Sequence, residues 1–376
     1  MLDELYIINS GMETIDLWRQ VEEEENDDII DILILMYLLY SSHDLNKRLK
    51  LNIAVSKHYA NSQRRIKTAL IKTKYSVKRE LTKSAQKSHE TDDIMTYKPN
   101  NEKVSELDSS ERTEVIKDNT NKTVNEIDKN MNNVPDNMLK ELNRAVNEFE
   151  TSVDIFKIDY VDAVIKSIDY MVETSTYTFI NNGNRKAHIS ADVKRVVQMS
   201  VNRTGAEITL KTAIKNGFDY ILVSAHFGAR VNPLDPVADH AGWQGKPYKI
   251  VGFDDYADNL LEKTGYPLNP LGLLGYNCRH SFTPHKKGMK DPFEEHTQQQ
   301  YADTYKKIKY QRELERRIRL SKQKARAYNK VYDTIKDTKI KSKLDHYTQL
   351  AQRQNKEYLK YCESNELDVS KFNLKI

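Results

Sequence analysis

The sequence predicts an α+β protein made mostly of long α-helices, with one small, mixed, loop-rich motif domain that contains a few short strands. The first observation behind this prediction is where the turn-forming residues lie. Ten of the twelve glycines fall between Gly205 and Gly288, and seven of the nine prolines between Pro233 and Pro292. Such residues mark turns and special backbone geometry. The second observation is that apolar residues on both sides of this stretch follow helical spacing.

These patterns divide the 376 residues into five predicted regions. The segment between the first helical region and the central helices is rich in Asn, Lys, Glu, Asp, Ser and Thr. Because it has few large apolar residues to offset chain entropy, we interpret it as a linker or a partner-dependent segment. The regions are an N-terminal helical region (1–83), the polar linker (84–136), long helices (137–217), the motif domain (218–296) and basic C-terminal helices (297–376).

The central region carries a heptad-like apolar stripe. Its members are Leu139, Leu142, Val146, Phe149, Val153, Phe156, Tyr160 and Ala163. No glycine or proline interrupts residues 136–182. We therefore predict one long helix there, ending near the Asn182–Gly183 pair. A second helix is predicted from about Ser190, as its N-cap, to Asn216–Gly217.

Downstream, a weaker apolar seam predicts a basic helix from about Thr297 to Asp337, with a second segment to Ser364. Near the N-terminus, Asp44–Lys87 has helical character. The apolar run Ile29–Tyr40 spans twelve residues and is too short to cross a bilayer as a helix. We interpret that run as a buried or partner-facing helix.

The net charge of +4 hides strong segregation. Residues 1–31 contain eleven acidic residues and one basic residue, a balance of −10. Residues 44–87 contain thirteen basic and two acidic residues (+11), and residues 304–360 contain eighteen and six (+12). Such blocks favour electrostatic partners: nucleic acid, an acidic protein surface, or each other. The alternative is solvated helix faces with intramolecular pairing.

The composition also limits the cellular environments in which the protein is expected to fold and assemble. Hydrophobic residues make up 38%, charged residues 30%, and the mean hydropathy is −0.74, which is polar for a compact globule. Only Cys278 and Cys362 are present, so no disulfide framework is expected and assembly in a reducing cytoplasm fits. The N-terminus, with Asp3 and Glu4, lacks the basic start of a signal peptide. We expect no membrane association.

Within the motif domain, residues 220–226 read as a strand and Lys249–Val251 as a short returning strand. Asp254 is expected to cap a short helix that stops at Gly265. Aromatic residues such as Trp243 and Tyr248 are expected to fill the centre of this domain. The full set of predicted motif-core residues is Trp243, Gln244, Gly245, Tyr248, Asn277 and Arg279.

Four residues of the motif domain are of the types that zinc prefers, neutral imidazole and thiolate. They are His226, His240, Cys278 and His280. Zinc is the one cofactor that this set suggests. The alternative is structural: the histidines hydrogen-bond loop backbone, Arg279 pairs with a carboxylate such as Asp219, and Cys278 is a small buried residue.

A Cys-His hydrolase would use Cys278 as nucleophile and His226 or His240 as base. No oxyanion-hole motif or orienting acid can be identified, and P-loop, GxGxxG, HExxH and EF-hand spacings are absent from the sequence. We therefore assign no catalytic residue and expect the protein not to be an enzyme.

The basic segment after residue 304 is the best nucleic-acid candidate in the sequence, because clustered cations neutralise phosphates without reading bases. The predicted DNA or partner contacts are Arg316, Arg317, Arg319, Lys322, Lys324 and Arg326. The alternative is contact with an acidic protein surface, or with the acidic N-terminal block of the same chain.

The motif domain resembles the phage minor capsid protein 2 family. Four elements carry this resemblance in order and spacing: Ser224-Ala225-His226-x-Gly228-Ala229-Arg230, His240-x2-Trp243-Gln244-Gly245-Lys246-x-Tyr248, Gly265-Tyr266, and Gly272-Leu273-x2-Tyr276-Asn277-Cys278-Arg279-His280. The resemblance reaches from about residue 137 to 330. The closing Asn-Cys-Arg-His-x3-Pro is also similar to Mu F-like head morphogenesis proteins.

This resemblance implies a structural minor head protein of a tailed bacteriophage. It would lie inside the virion head near the portal, support head assembly and DNA packaging or ejection, and be assembled in the host bacterial cytoplasm. Its implied partners are the portal protein, the major capsid protein and packaged double-stranded DNA. Two alternatives stay open: a non-specific DNA-binding protein that is ejected with the genome, and a zinc-dependent or Cys-His enzyme.

Overall fold

The computed structural model describes residues 2–96, 105, 107–175, 179–181, 185–289, 292–293, 297–369 and 374. Its helices, in chain order, are α1 (Glu4–Asn9), α2 (Met12–Ser41), α3 (Lys47–Thr96), α4 (Ser109–Met131), α5 (Val134–Asp154), α6 (Tyr160–Ser175), α7 (Ile189–Lys215), α8 (His240–Trp243), α9 (Leu260–Thr264), α10 (Gln298–Ile335) and α11 (Thr338–Ser364). The strands are β1 (Phe179–Asn181), β2 (Arg185–Ala187), β3 (Tyr220–Val223), β4 (Pro247–Lys249) and β5 (Phe282–His285). Long helices with a small three-stranded sheet confirm the predicted α+β class.

The chain forms two units, each assembled from three separate stretches of sequence. Unit 1 consists of Met1–Ile15, Ile71–Ile127 and Val193–Ile308. Unit 2 consists of Asp16–Leu70, Asp128–Asp192 and Lys309–Ile376. The five predicted regions are consecutive in sequence, whereas each unit takes in N-terminal, central and C-terminal parts of the chain.

Strand β3 is the central strand of an antiparallel sheet in unit 1, with the order β4–β3–β5. Ile221 of β3 lies opposite Tyr248 on one side and Pro284 on the other. Ile221, Leu222 and Val223 are buried, as expected for a short continuous apolar run. The predicted strand is thus confirmed at residues 220–223, although it ends before His226. The returning strand lies two residues earlier than predicted.

A hydrophobic core packs around this sheet. Its buried members are Ala206, Ile221, Val223, Trp243, Tyr248, Leu260, Leu273, Leu274, Cys278 and Phe282. Trp243 and Tyr248 are 3% and 4% exposed, which confirms their predicted place in the centre of the motif domain. The Trp243 indole N–H donates to the Val237 carbonyl at 3.0 Å, and the Tyr248 hydroxyl donates to the Trp243 carbonyl at 2.8 Å. Both polar tips are therefore satisfied inside the core.

Most of the predicted polar linker is helical, so the interpretation of residues 84–136 as a linker is wrong for its described part. In unit 1, the Ser84 hydroxyl donates to the Val201 carbonyl at 2.6 Å, and the Ser88 hydroxyl donates to the Gly205 carbonyl at 2.9 Å. Thr123 donates to the Ser200 hydroxyl at 2.6 Å. Small hydroxyl side chains let the helices pack closely while satisfying buried acceptors, which an apolar-residue count does not reveal. Residues 97–104 and 106 of the predicted linker lie outside the described residues.

The single helix predicted over residues 136–182 is also wrong: helix α5 ends at Asp154 and helix α6 begins at Tyr160. Between them, Lys157 adopts a left-handed φ of 52°, and the Asp159 carboxylate accepts the Val161 N–H at 2.9 Å as α6 begins. No glycine or proline marks this break. After α6, β1 and β2 pair antiparallel. The predicted helix end at Asn182–Gly183 lies outside the described residues.

The remaining helix predictions agree with the structure. Helix α7 (Ile189–Lys215) and helices α10 and α11 have nearly the predicted bounds. Ser190 lies inside the first turn of α7 rather than capping it, and its N–H and hydroxyl donate to Glu22 in unit 2 at 3.1 and 2.9 Å. The Asp337 carboxylate accepts the Lys339 N–H at 2.7 Å and begins α11. In α2, the apolar run Ile29–Tyr40 is mostly buried, in line with its prediction as a buried helix.

The short helix α9 ends at Gly265 as predicted, with a left-handed φ of 70°. Its N-cap is Asn259, whose side chain accepts the Glu262 N–H at 3.1 Å, and not the predicted Asp254. Asp254 instead accepts the N–H groups of Tyr256 and Ala257, each at 3.0 Å. The predicted cap therefore stabilises a turn that precedes the helix.

Candidate metal centre

The sheet of unit 1 brings three loops of the motif domain together. Because β3 and β5 run antiparallel as neighbours, the chain leaving β3 lies beside the chain entering β5. The Ser224 N–H donates to the Ser281 carbonyl at 2.9 Å, and the Ser281 N–H donates to the Ser224 hydroxyl at 3.0 Å. His226 and His280 are therefore neighbours, with ring centroids 4.2 Å apart. His240, at the start of α8, completes the group.

Three of the four predicted metal ligands form a tight cluster. Every pair among the ligand atoms of His240, Cys278 and His280 lies within 4.8 Å, and all three residues are buried. Cys278 Sγ is 3.5 Å from His280 Nδ1. His226 lies outside this group of three, although its ring lies against that of His280 at an interplanar angle of 32°. We call these four residues the histidine–cysteine cluster.

Gln244 fixes the proton on one imidazole of this cluster. The backbone N–H of His226 can only donate, and it donates to Gln244 Oε1 at 3.0 Å. The same oxygen lies 2.9 Å from His280 Nε2. Since an amide oxygen only accepts, Nε2 carries the proton and His280 Nδ1 keeps its lone pair. That lone pair is on the side of Cys278 Sγ.

Backbone carbonyls fix the other two imidazoles in the same way. His240 Nε2 lies 2.8 Å from the Leu271 carbonyl, so it donates and Nδ1 holds the lone pair. His226 Nδ1 lies 2.9 Å from the Phe227 carbonyl, which leaves the lone pair on Nε2. His226 Nε2 is buried and has no hydrogen-bond partner among the described residues.

Burial keeps the cluster uncharged in the absence of a cation. It lowers the pKa of His240 to about 4 and lowers the pKa values of His226 and His280. Burial also raises the pKa of the Cys278 thiol to about 11. Reactive cysteines need the opposite shift, so this environment does not favour Cys278 as a hydrolase nucleophile. Neutral imidazole is, however, the form that binds metals.

The remaining motif-core residues hold the loops around the cluster. Gly245 has a φ of +68°, where an added Cβ would lie 3.3 Å from Ala225, and Asn277 has a φ of 57°. The Arg279 guanidinium pairs with Glu4 of α1 at 2.9 Å, whereas the sequence suggested a carboxylate such as Asp219. A contact with helix α1 cannot be foreseen from the motif, since 275 positions separate the two residues.

Three supporting residues had no role in the sequence-based site. Arg230 donates to the carbonyls of Leu271 and Tyr276 at 3.1 and 2.8 Å. Asn202 and Arg203 of α7 donate to the carbonyls of His280 and Leu274 at 2.7 and 2.9 Å. Arg230 belongs to a family-like motif, which was the available signal, but the sequence did not indicate that backbone carbonyls are the acceptors of these three residues.

The predicted DNA-contact residues lie in unit 2, and all six interact with other residues of the protein. Arg316 and Arg317 pair with Glu313 one turn earlier. Lys322 donates to the Leu374 carbonyl at 2.7 Å. Lys324 is buried and pairs with Asp169 and Glu173 at 3.2 and 2.8 Å. Arg319 is half-buried.

Arg326 pairs with the acidic N-terminal block, reaching Glu23 at 3.1 Å and Asp27 at 2.9 Å. Lys330 pairs with Asp31 of the same block at 2.7 Å. These pairs correspond to the sequence-based alternative in which the oppositely charged blocks meet. DNA contact by α10 stays a prediction. In the portion of the chain that is described, no helix combines the length and apolar character needed to cross a membrane.

These observations define a class: a mostly helical, charge-segregated chain organised around a small loop-rich domain with a buried histidine–cysteine cluster. The family model described as Phage minor capsid protein 2 matches residues 3–360. The chain belongs to this phage minor capsid protein family. The match extends well beyond the 137–330 stretch that the motifs alone suggested, and it includes helix α1 with Glu4.

A curated relative described as "Structural protein", from Lactococcus phage LL-H, is 26% identical to this chain over 191 residues. The match covers 50% of this chain and 50% of that protein, so about half the length of the relative is spanned. No solved structure matches. Together with the family match, this relative supports a structural protein of the phage virion.

Proposed function

We propose that this chain lies at or near the portal vertex, inside the phage head, and supports head assembly and DNA packaging or ejection. Its partners would be the portal protein, the major capsid protein and packaged double-stranded DNA. The mechanism would be binding and scaffolding rather than turnover. Family membership supports a place in the virion. The more specific proposal of DNA contact rests on the surface of helix α3.

Helix α3 presents basic residues that the protein does not neutralise. Residues 45–79 contain eleven basic residues and no acidic residue. In unit 2, Lys57, Arg64 and Lys67 are exposed, and their seven- and three-residue spacing places them on one helix face. Within the described part of the chain, none of the three pairs with a carboxylate. The Arg64 guanidinium donates to the Asn61 side-chain oxygen at 3.2 Å.

Such a basic face suits a polyanion whose negative charges repeat at short intervals. Binding of this kind does not depend on the base sequence. Double-stranded DNA has this character, and neutralising its phosphates releases condensed counterions. Helix α10 is a weaker candidate in this respect, because Arg316, Arg317 and Arg326 already have carboxylate partners. DNA contact would therefore be centred on α3 rather than on the α10 residues that the sequence favoured.

The DNA proposal is tested by measuring retention of the full chain on double-stranded DNA as a function of salt. The variant Lys57→Gln/Arg64→Gln/Lys67→Gln is compared with Arg316→Gln/Arg317→Gln as matched control. Each lost phosphate contact reduces the slope of log affinity against log salt by about 0.9. We expect a reduction of about 2 to 3 for the α3 variant and less than about 1 for the control.

Two results would contradict the α3 assignment. One is absence of retention by the wild-type chain even at low salt, which would leave scaffolding alone. The other is a larger loss in the α10 control, which would support the residues that the sequence favoured.

The location is tested by cross-linking intact virions and by an electron-microscopy map of the head vertex. We expect cross-links to the portal protein and density for a few copies at one vertex. Cross-links spread evenly over the major capsid protein would contradict a portal-proximal position. Loss of the chain from particles after genome release would favour the alternative of a DNA-binding protein that is ejected with the genome.

A further inference from the structure

We propose that the histidine–cysteine cluster binds one zinc ion through His240 Nδ1, Cys278 Sγ and His280 Nδ1, with His226 Nε2 as the fourth ligand. Imidazole nitrogen and thiolate sulfur are the donors of structural zinc sites, which are almost always four-coordinate. One ligand atom from each of His240, Cys278 and His280 lies within 4.8 Å of the other two. The 3.5 Å separation of Cys278 Sγ and His280 Nδ1 suits two atoms on one small ion.

The positions of the imidazole protons support this assignment in addition to the distances between the ligand atoms. The acceptors Gln244 Oε1 and the Leu271 carbonyl each hold a ring N–H of a ligand histidine, at 2.9 and 2.8 Å. Metal-binding histidines almost always donate their second N–H to a carbonyl or carboxylate, which sets the tautomer and the ring orientation. Both His280 and His240 therefore have the tautomer that leaves Nδ1 available to a metal.

His226 supplies the second independent observation. Its Nε2 is a buried acceptor without a hydrogen-bond partner in the described residues, while its Nδ1 donates to the Phe227 carbonyl. Buried polar atoms are rarely left unsatisfied, and such an exception points to an unseen water or ion. The His226 ring already lies against His280, with centroids 4.2 Å apart. A shared cation would satisfy this lone pair together with the other three ligands.

Zinc at this place would join three loops of the motif domain. These are the chain leaving β3, the first turn of α8 and the segment that leads into β5. On binding, the Cys278 thiol would lose its proton to solvent, and the three histidines would keep theirs on the nitrogens that face carbonyl oxygens. The expected role is structural, because four protein ligands leave no open position for a substrate.

Metal analysis of the full chain tests the site, with Cys278→Ser as the main variant and Cys362→Ser as the matched control. Cys362 is also buried, but its Sγ accepts from the Gln311 amide at 3.4 Å and it belongs to no ligand group in the described residues. We expect about one zinc per chain in the wild type and the control, and near-complete loss in Cys278→Ser. A wild type without stoichiometric zinc, or with copper or iron in its place, would overturn the proposal.

A reconstitution of the wild-type chain with Co²⁺ keeps the test valid if Cys278→Ser fails to fold. We expect the intense visible bands of tetrahedral cobalt together with a thiolate-to-cobalt charge-transfer band. Gln244→Ala, which removes the acceptor of His280 Nε2, should weaken metal affinity by about 10- to 100-fold. An octahedral spectrum without the thiolate band would exclude the site. Unchanged affinity in His226→Ala would refute the fourth ligand.

Discussion

Two clusters of ionisable side chains with buried members, one in each unit, differ in whether an arginine belongs to them. The histidine–cysteine cluster of unit 1 contains three imidazoles and a thiol, and one ligand atom from each of His240, Cys278 and His280 lies within 4.8 Å of the other two. In unit 2, the charged cluster consists of Glu25, Asp28, His58 and Arg65. There the Arg65 guanidinium lies 3.2 Å from Glu25 and 2.6 Å from Asp28. His58 lies 3.5 Å from Asp28.

This difference distinguishes a structural ion-pair network from a candidate metal site. The charged cluster contains its own cation, so it can be explained as a structural ion-pair network. The histidine–cysteine cluster has the donor types of a metal site and ordered tautomers, and none of its four members is a lysine or an arginine. A burial pattern alone would not distinguish the two clusters, whereas the identity of the donors and acceptors does.

Removing the cation of the charged cluster should give the largest loss of stability. Arg65→Met leaves the fully buried Glu25 without its guanidinium partner, and breaking a buried pair in this way costs about 3–5 kcal/mol. The free energy of unfolding, measured by denaturant titration, checks this. Arg64→Met is the matched control, since Arg64 is exposed, and its change should stay within about 0.5 kcal/mol. Equal losses in both variants would argue against the ion-pair network.

A smaller loss is expected from disturbing the loop that carries the Leu271 carbonyl. In Gly272→Ala, the new Cβ would lie 2.1 Å from the Thr264 carbonyl oxygen, so the backbone must shift. Overpacking of this kind costs about 1–3 kcal/mol. Because Leu271 accepts from His240, zinc content should fall as well.

Gly217→Ala provides the contrast to Gly272→Ala. Its Cβ would meet no side-chain or backbone atom of the described residues within 4 Å, and its φ of +66° makes the cost one of backbone strain. Stability should fall by about 1–2 kcal/mol, and zinc content should not change. Equal zinc content in the wild type and in Gly272→Ala would show that this loop does not contribute to zinc binding by the cluster.

The smallest effect concerns two buried carboxyl groups of unit 2 whose pKa values shift in opposite directions. Although burial opposes it, hydrogen bonds from His188 and Ser190 lower the pKa of Glu22 below the usual 4.5. Its contribution to stability is present above pH 4.5 and is lost as pH falls through the folded-state pKa. Burial raises the pKa of Glu25, so acidification from that raised pKa towards 4.5 should instead increase stability.

These opposite pH dependences are tested by measuring the free energy of unfolding of Glu22→Gln, Glu25→Gln and the wild type across pH. Relative to Glu22→Gln, the wild type should lose stability on acidification below pH 4.5. Relative to Glu25→Gln, it should gain stability as pH falls towards 4.5. Each unit of pKa difference corresponds to about 1.4 kcal/mol. Parallel pH profiles for the two variants would show that the hydrogen bonds of Glu22 do not hold its charge.

Sequence patterns predicted those parts of the fold that local signals encode. Helix α7 ends at a glycine, and helix α11 begins at a capping aspartate, so both were predicted almost at their observed bounds. The break at Lys157 has no such signal, because a lysine rarely adopts a left-handed φ and nothing in its neighbours demands one. Helix α4 was missed because its packing relies on residues such as Thr123, whose acceptor belongs to another helix.

The candidate metal site was also predictable from the sequence only in part. Ligand types were evident from the sequence, and three of the four candidates converge. Their convergence depends on the pairing of β3 with β5 and on the turn that places His240, which are long-range features. The role of Gln244 as the acceptor for both His226 and His280 depends on the same tertiary arrangement.

X-ray absorption at the zinc edge of the purified full chain tests the central claim most directly. A site formed by Cys278 and the three histidines predicts one sulfur at about 2.3 Å and nitrogens at about 2.0–2.1 Å from zinc. A first shell of oxygen and nitrogen without sulfur, or no bound zinc at all, would contradict the assignment of the histidine–cysteine cluster as a metal centre.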